Sequence, residues 1–185
     1  MLSVGRRLKL DALDLVGRKV RLRSFTEADI TDVYIGWLND PVVTRYSDQR
    51  FLRHDRESCV RYLASFDGTP NLFVSVRRLE DDRAIGTMTA YVSPHHGVAD
   101  VGILIGDRSV WRGGFGQDAW DTFTSWLLSR PDIRKLAAGT TAVNQAMIRL
   151  AERSGMAMEG RRMRQVVIEG EAVDILYFGR FKDTR

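Results

Sequence analysis

The segment SVWRGGFGQDAW at 109–120 constrains the fold of this chain more than any other stretch. A β-branched and aliphatic run, Val101-Gly102-Ile103-Leu104-Ile105, precedes it, and an amphipathic helical pattern follows. Three glycines, Gly113, Gly114 and Gly116, crowd beside Arg112. The order is strand, tight turn, helix N-terminus, where free backbone N–H groups and the helix dipole favour a phosphate or other anion. Glycine permits both the turn's dihedrals and a close approach of backbone to ligand. The pattern predicts a grip on a phosphorylated ligand.

Size and composition bound the rest. A chain of 185 residues, 44% hydrophobic and 28% charged, suits one soluble globular domain. No stretch approaches the length of a membrane span, so no membrane partner is expected. The N-terminal MLSVGRRLKLDALDLVGRK offers no uninterrupted apolar block or small-residue cleavage site, so no secretory signal is expected. Cys59 is the lone cysteine, which excludes an internal disulfide and suits a cytoplasmic location. The net charge of +4 and pI near 9.5 favour an anionic ligand. The basic residues at 6–23 and at 161–164 are interleaved with other types and read as solvated faces. With no paired RNP-like aromatics and no zinc-ligand cluster, direct nucleic-acid binding and a metal site are not expected.

The remaining pattern organises one domain at 17–185 behind an N-terminal extension at 1–16, whose leucines fit a short strand or an amphipathic helix. Alternation at 19–23 predicts a strand. Thr26-Glu27-Ala28-Asp29 has capping-box spacing and predicts a helix running to Leu38, stopped by Asn39-Asp40-Pro41. A second helix is predicted at 55–66, with Cys59, Tyr62, Leu63 and Phe66 on its buried face. Strands at 72–79, 84–92 and 99–105 read as an antiparallel meander. Phe115, Ala119, Phe123 and Leu127 define the buried face of the helix after the glycine turn, which Pro131 ends. A strand at 135–140, a helix at 144–154 with Gly155 as its C′ residue, and strands at 160–168 and 172–181 complete the chain.

A dinucleotide site needs G-x-G-x-x-G early in a βαβ unit, and a triphosphate loop needs G-x-x-x-x-G-K-[ST]; this chain has R-G-G-F-G after antiparallel strands instead. Five segments together resemble the GCN5-related N-acetyltransferase (GNAT) superfamily, in particular its ribosomal-protein N-terminal acetyltransferase branch: VRLRSFTEADI, WLNDPVVTRYS, DVGILIGDRSVWRGGFGQDAW, NQAMIRLAERSGMAMEG and VDILYFGRF. The resemblance covers about residues 17–182. It implies a mixed α/β fold: a central, mostly antiparallel twisted sheet flanked by helices, with a splayed strand pair at the cofactor site. It implies acetyl-coenzyme A as acetyl donor, its pyrophosphate held by backbone amides of Arg112, Gly113, Gly114, Phe115, Gly116 and Gln117. Backbone groups of Ile103, Leu104 and Ile105 would pair with the pantetheine arm, one amide facing the thioester oxygen. Asn144 matches a cofactor-contacting asparagine; read from the sequence alone it is equally a helix N-cap.

Direct acetyl transfer needs a neutral amine, a base for its proton and a departing thiolate. Asp100, at the start of the strand leading to the glycine turn, is the first candidate base, and His54 the second. His95 and His96 fall in a turn. The superfamily often has tyrosine seven residues after the helix asparagine and its ribosomal branch serine three residues after; here these are Ala151 and Met147. That leaves the proton donor to water or to another group such as Tyr177, or marks a coenzyme-binding regulatory module without catalysis. Tyr46, Gln49, Arg50 and Phe51 are candidate acceptor-binding residues. The acceptor is expected to be a protein N-terminus or small molecule, with an amino-sugar nucleotide as the alternative; a homodimer is compatible with the pattern.

Overall fold

The computed structural model describes residues 13–183. Eight strands form one twisted sheet in the order β1-β2-β3-β4-β5-β6-β8-β7: β1 Asp14–Val16, β2 Val20–Ser24, β3 Leu72–Arg78, β4 Ala84–Ser93, β5 Val98–Ile105, β6 Lys135–Thr141, β7 Ala157–Ile168 and β8 Glu171–Phe181. Every neighbouring pair is antiparallel except β5 and β6. Helices α1 (Asp32–Asn39) and α2 (Arg56–Ala64) cover one face; α3 (Phe115–Ser129) and α4 (Gln145–Arg153) cover the other. Of the expected extension, 1–12 lies outside the described residues, and Asp14–Val16 adds an edge strand to the sheet.

Strand alternation divides the core. Val74, Val76, Met88, Ala90, Ala99, Val101, Leu136 and Ala138 point towards α3, whose Ala119, Trp120, Phe123 and Leu127 are fully buried. The opposite face carries a smaller cluster in which Phe73 stacks between Phe25 and Phe66, with Tyr34, Leu38 and Cys59 packed alongside. The single helix expected at 26–38 is split in two. The Thr26–Asp29 capping box closes a 3₁₀ turn at Glu27–Asp29, Ile30 turns into the smaller core, and Thr31 accepts from Tyr34 N to start α1 afresh. Two consecutive caps each satisfy their own turn, which periodicity alone does not reveal.

One buried carboxylate ties the start of β2 to α3. Asp118 accepts hydrogen bonds from the backbone N–H groups of Arg18 at 3.1 Å, Lys19 at 2.7 Å and Val20 at 3.1 Å. Gly17 permits this approach, since a Cβ there would stand 2.6 Å from the Asp118 Oδ2. Bonds to an ionised acceptor are about twice as strong as neutral ones, and removing the acceptor strands three donors, of which the Val20 N–H is buried. Asp118→Ala is expected to cost about 3 kcal/mol, lowering Tm by roughly 6–12 °C in thermal unfolding. A loss within ~1 °C would show that the clamp carries no stability.

Candidate active site

The parallel pair β5–β6 is joined only at Val98–Lys135, Ala99–Leu136 and Asp100–Ala137. Beyond Asp100, β5 runs on to Ile105 bonded to β4, while β6 runs on to Thr141 bonded to β8. The two strands therefore part like a V, and the backbone edges facing each other across it have no strand partner. Backbone polar groups left in such an opening need an occupant that can bond to them.

At the wide end of this V lies the glycine turn. Gly114 adopts φ of 81°, the left-handed region, and serves as N-cap of α3 without a side-chain bond to the first turn. Arg112 also has a positive φ, 64°. Among the described residues, no carbonyl or side chain accepts from the N–H groups of Gly114, Phe115, Gly116 and Gln117. A Cβ on Gly116 would contact both Ile105 on β5 and Leu150 on α4, which sets these amides beside the parted strands. Lys19 adds a positive charge: its Nζ donates to the Gly113 carbonyl at 2.8 Å and lies over the Phe115 ring. Trp111 anchors the turn by donating from Nε1 to the Ile105 carbonyl at 2.8 Å. Four convergent amide donors beside an ammonium suit a pyrophosphate, so this turn fits the phosphorylated end of a coenzyme A molecule.

Asp100 occupies the last paired position before the strands part. Its neighbours Ala99 and Val101 face the larger core, so Asp100 projects from the opposite face, beside Tyr91 on β4. The residue is exposed and its carboxyl has no hydrogen-bond partner among the described residues, yet desolvation by its surroundings pushes its pKa up. On that same face a cavity of about 650 Å³ opens between β4, β5, α1 and α2. His54 lines it, half-buried, its backbone clamped on both sides by the Asn39 amide and its Nε2 3.3 Å from the Gln49 carbonyl. Cys59 also lines the cavity while packing in the smaller core, and burial pushes its thiol up, as suits an inert wall residue.

The remaining sequence candidates fall in different places. Gln49 lines the cavity; Tyr46, Arg50 and Phe51 lie outside its lining. The Arg50 guanidinium donates to the carbonyls of Ser47 and, across to β7, Val167, while Phe51 is 70% exposed. Asn144 is the N-cap of α4: its Oδ1 accepts from Met147 N and its Nδ2 donates to Thr140 Oγ1. Gly155 and Met156 close that helix by donating to the Glu152 and Ala151 carbonyls. Ala151 is fully buried and Met147 packs against the larger core. Tyr177 pairs with Gly139 on the parted length of β6, its ring against Gly139 and under the Arg162 guanidinium. His95 and His96 are exposed in the β4–β5 turn. Sequence reading missed Lys19 at the glycine turn, which shows only as one basic residue in an alternating strand. It also missed the 2.7 Å hydroxyl contact between Tyr62 and Tyr91 at the cavity wall.

Comparison with known proteins agrees with this geometry. Residues 19–157 match the model of the acetyltransferase (GNAT) domain. No curated protein sequence matches. Among solved structures, a GNAT-family acetyltransferase from Bacillus anthracis is 15% identical with a TM-score of 0.78, covering 92% of this chain and 99% of that one. The ribosomal L7/L12 α-N-protein acetyltransferase RimL in complex with coenzyme A is 16% identical with a TM-score of 0.78, covering 92% and 98%. Spermidine N-acetyltransferase from Vibrio cholerae, in complex with coenzyme A and spermine, is 15% identical with a TM-score of 0.78, covering 89% and 96%.

Proposed function

Since the chain belongs to the GNAT-domain acetyltransferases, we propose that it moves the acetyl group of acetyl-coenzyme A directly to a primary amine held in the cavity beside β4 and β5. The observation that carries this reading is the V between β5 and β6, which has free amides at its wide end, the Asp100 carboxylate at its apex and a cavity on one face.

In this reading the amides of Gly114–Gln117, with Lys19 beside them, hold the pyrophosphate. The backbone edge of β5 over 101–105, where the Ile105 carbonyl already accepts from Trp111, takes the pantetheine arm as an added strand. The donor supplies an activated thioester carbonyl. A β5 N–H facing its oxygen stabilises the negative charge that develops as the amine attacks. Asp100 accepts the amine proton: its raised pKa lies closer to neutrality than that of an ordinary carboxylate, which improves a base at physiological pH. The C–N bond forms, the C–S bond breaks, and the thiolate takes a proton from water or from Tyr177. His54 lines the cavity and orients the acceptor through the ring nitrogen that does not face Gln49.

The acceptor is a protein N-terminus or a small molecule. Similarity to the ribosomal-protein enzyme supports the first, and the lining of the cavity by three tyrosines and residues of two helices supports the second. The test is release of free coenzyme thiol from acetyl-coenzyme A against amino-sugar nucleotides, small amines and ribosomal-protein N-terminal peptides, with acetylated product confirmed by mass. Saturable turnover with any amine is expected. Coenzyme binding with no acetylated product from any class would replace this reading with that of a coenzyme-binding regulatory module.

A further inference from the structure

We infer that the acceptor is a small primary amine carrying its own anionic group, a carboxylate or a phosphate, which Arg53 and the Tyr62–Tyr91 pair receive at the cavity wall. This inference rests on the acetyl-transfer reading and adds the charge and size of the substrate.

The charge balance of the cavity carries it. Two arginines, Arg53 and Arg61, both exposed, are among the residues lining the cavity, and no aspartate or glutamate is. Arg61 is partly neutralised by Glu57, which it contacts at 2.5 Å in an exposed pair. The guanidinium of Arg53 has no hydrogen bond or ion pair among the described residues. The acidic side chains nearest in sequence are engaged: Asp55 caps α2 by accepting from Ser58 N at 2.8 Å, and Asp48 lies 3.4 Å from Arg50. Asp100 is the single carboxylate on β4 or β5, and it is assigned to the transferred proton. A wall of this sign attracts an anion and disfavours a polycation, which would meet the unpaired charge of Arg53 and find no carboxylate in the lining.

The tyrosines supply a matching donor. Tyr62 and Tyr91 share one O–H···O contact at 2.7 Å, which uses one of their two hydroxyl protons and leaves the other free to donate. Burial, reinforced by the Tyr91 hydroxyl, pushes the Tyr62 phenol up, so the pair does not ionise and add negative charge near neutral pH. The Tyr62 ring is held edge-on against Phe66 and Phe73, so the donor is fixed before a ligand arrives. A planar guanidinium and a hydroxyl donor on the wall of one cavity are both groups that carboxylate and phosphate oxygens accept from. The cavity volume of about 650 Å³ falls within the range for small-molecule sites, which sets the substrate's size.

The experiment compares matched amines in thiol-release kinetics: glucosamine against glucosamine 6-phosphate, β-alaninamide against β-alanine, and spermidine as the cationic member. Peptide amines with acidic and neutral second residues form a separate arm. The anionic member of a small pair is expected to have at least a tenfold higher kcat/KM than its neutral partner, and the two pairs distinguish phosphate from carboxylate. Arg53→Gln is expected to raise KM for the anionic acceptor about tenfold, leave KM for acetyl-coenzyme A unchanged, and be rescued in part by Arg53→Lys. Faster turnover of spermidine, of the neutral partners or of peptides overturns the inference while leaving acetyl transfer intact. Independently of turnover, calorimetric titration of the coenzyme A-saturated protein with glucosamine 6-phosphate and with β-alanine reads anion binding directly. Binding of either that is lost in Arg53→Gln supports the inference; equal binding in both proteins, or none in wild type, overturns it. Anion binding without any acetylated product keeps the anion site and removes the acetyl-transfer reading.

Discussion

Asp100→Asn is expected to lower kcat by about 100-fold or more, the usual range for removing a positioned general base, while leaving KM for acetyl-coenzyme A within about twofold. The substitution keeps the side chain's shape and removes only its ability to take a proton. Because the carboxyl has no hydrogen-bond partner among the described residues, no buried donor is stranded and the fold is not weakened. The pH dependence carries a second signature. A base works only when deprotonated, so the wild-type rate falls as pH drops through the Asp100 pKa, which desolvation raises above the ordinary carboxylate value. That limb is expected to vanish in Asp100→Asn, leaving only titration of the acceptor amine itself.

Stability should move in the opposite direction. A carboxyl whose folded pKa is raised is easier to ionise in the unfolded chain. The wild-type protein therefore loses stability as pH rises from the unfolded carboxylate value, about 4, through the raised folded value, and the loss persists above it. Asp100→Asn removes this term, so its Tm matches or exceeds the wild type at neutral pH and shows no advantage in acid. A variant that lost activity and stability together at pH 7 would point to a structural role for Asp100 and not to a base. Retained kcat with an unchanged acid limb would transfer the role to His54.

What the sequence revealed and what it concealed divide along local and long-range physics. The strand–turn–helix at 101–129, the Asn144 cap and the Gly155 terminus depend on residues a few positions apart, and the structure has them where the pattern puts them. The splay of β5 from β6 came from the resemblance and not from periodicity, since the residues on either side of Asp100 alternate without a break. The Asp118 clamp joins residues about a hundred positions apart, so its aspartate reads in sequence as one polar position of a helix. The contacts from Arg45 to Glu169 and from Arg50 to the Val167 carbonyl, which tie the segment before α2 to the β7–β8 hairpin, are of the same kind. Arg50 looked available for a ligand because one of its partners, the Val167 carbonyl, lies more than a hundred residues away. The cavity charge also escapes a linear reading: Arg53 and Arg61 sit near Asp48, Asp55 and Glu57 in sequence, and only the caps and pairs of the folded chain show which charges are left over.

Gly116→Asp is expected to raise KM for acetyl-coenzyme A about 100-fold without lowering Tm. A Cβ at Gly116 would lie 3.5 Å from Ile105 Cγ1 and 3.9 Å from Leu150 Cδ1, ordinary contact distances, so the backbone accommodates a side chain. The position falls in the first turn of α3, where an acidic side chain interacts favourably with the helix dipole and satisfies a free amide. The change therefore stabilises the empty helix end by the same interactions that the phosphates would use. The ligand then has to displace an internal carboxylate and approach a negative charge, and a loss near 2.7 kcal/mol corresponds to the 100-fold effect. Gly36→Asp, at a helix position where a Cβ meets nothing within 4 Å, controls for the added charge and is expected to leave this KM unchanged. The effect should shrink as salt rises, because the repulsion acts at a partly exposed site. A Gly116→Asp protein with normal Tm and normal KM would place the phosphates away from α3, and the free amides of Gly114–Gln117 would then be a hydrated helix end.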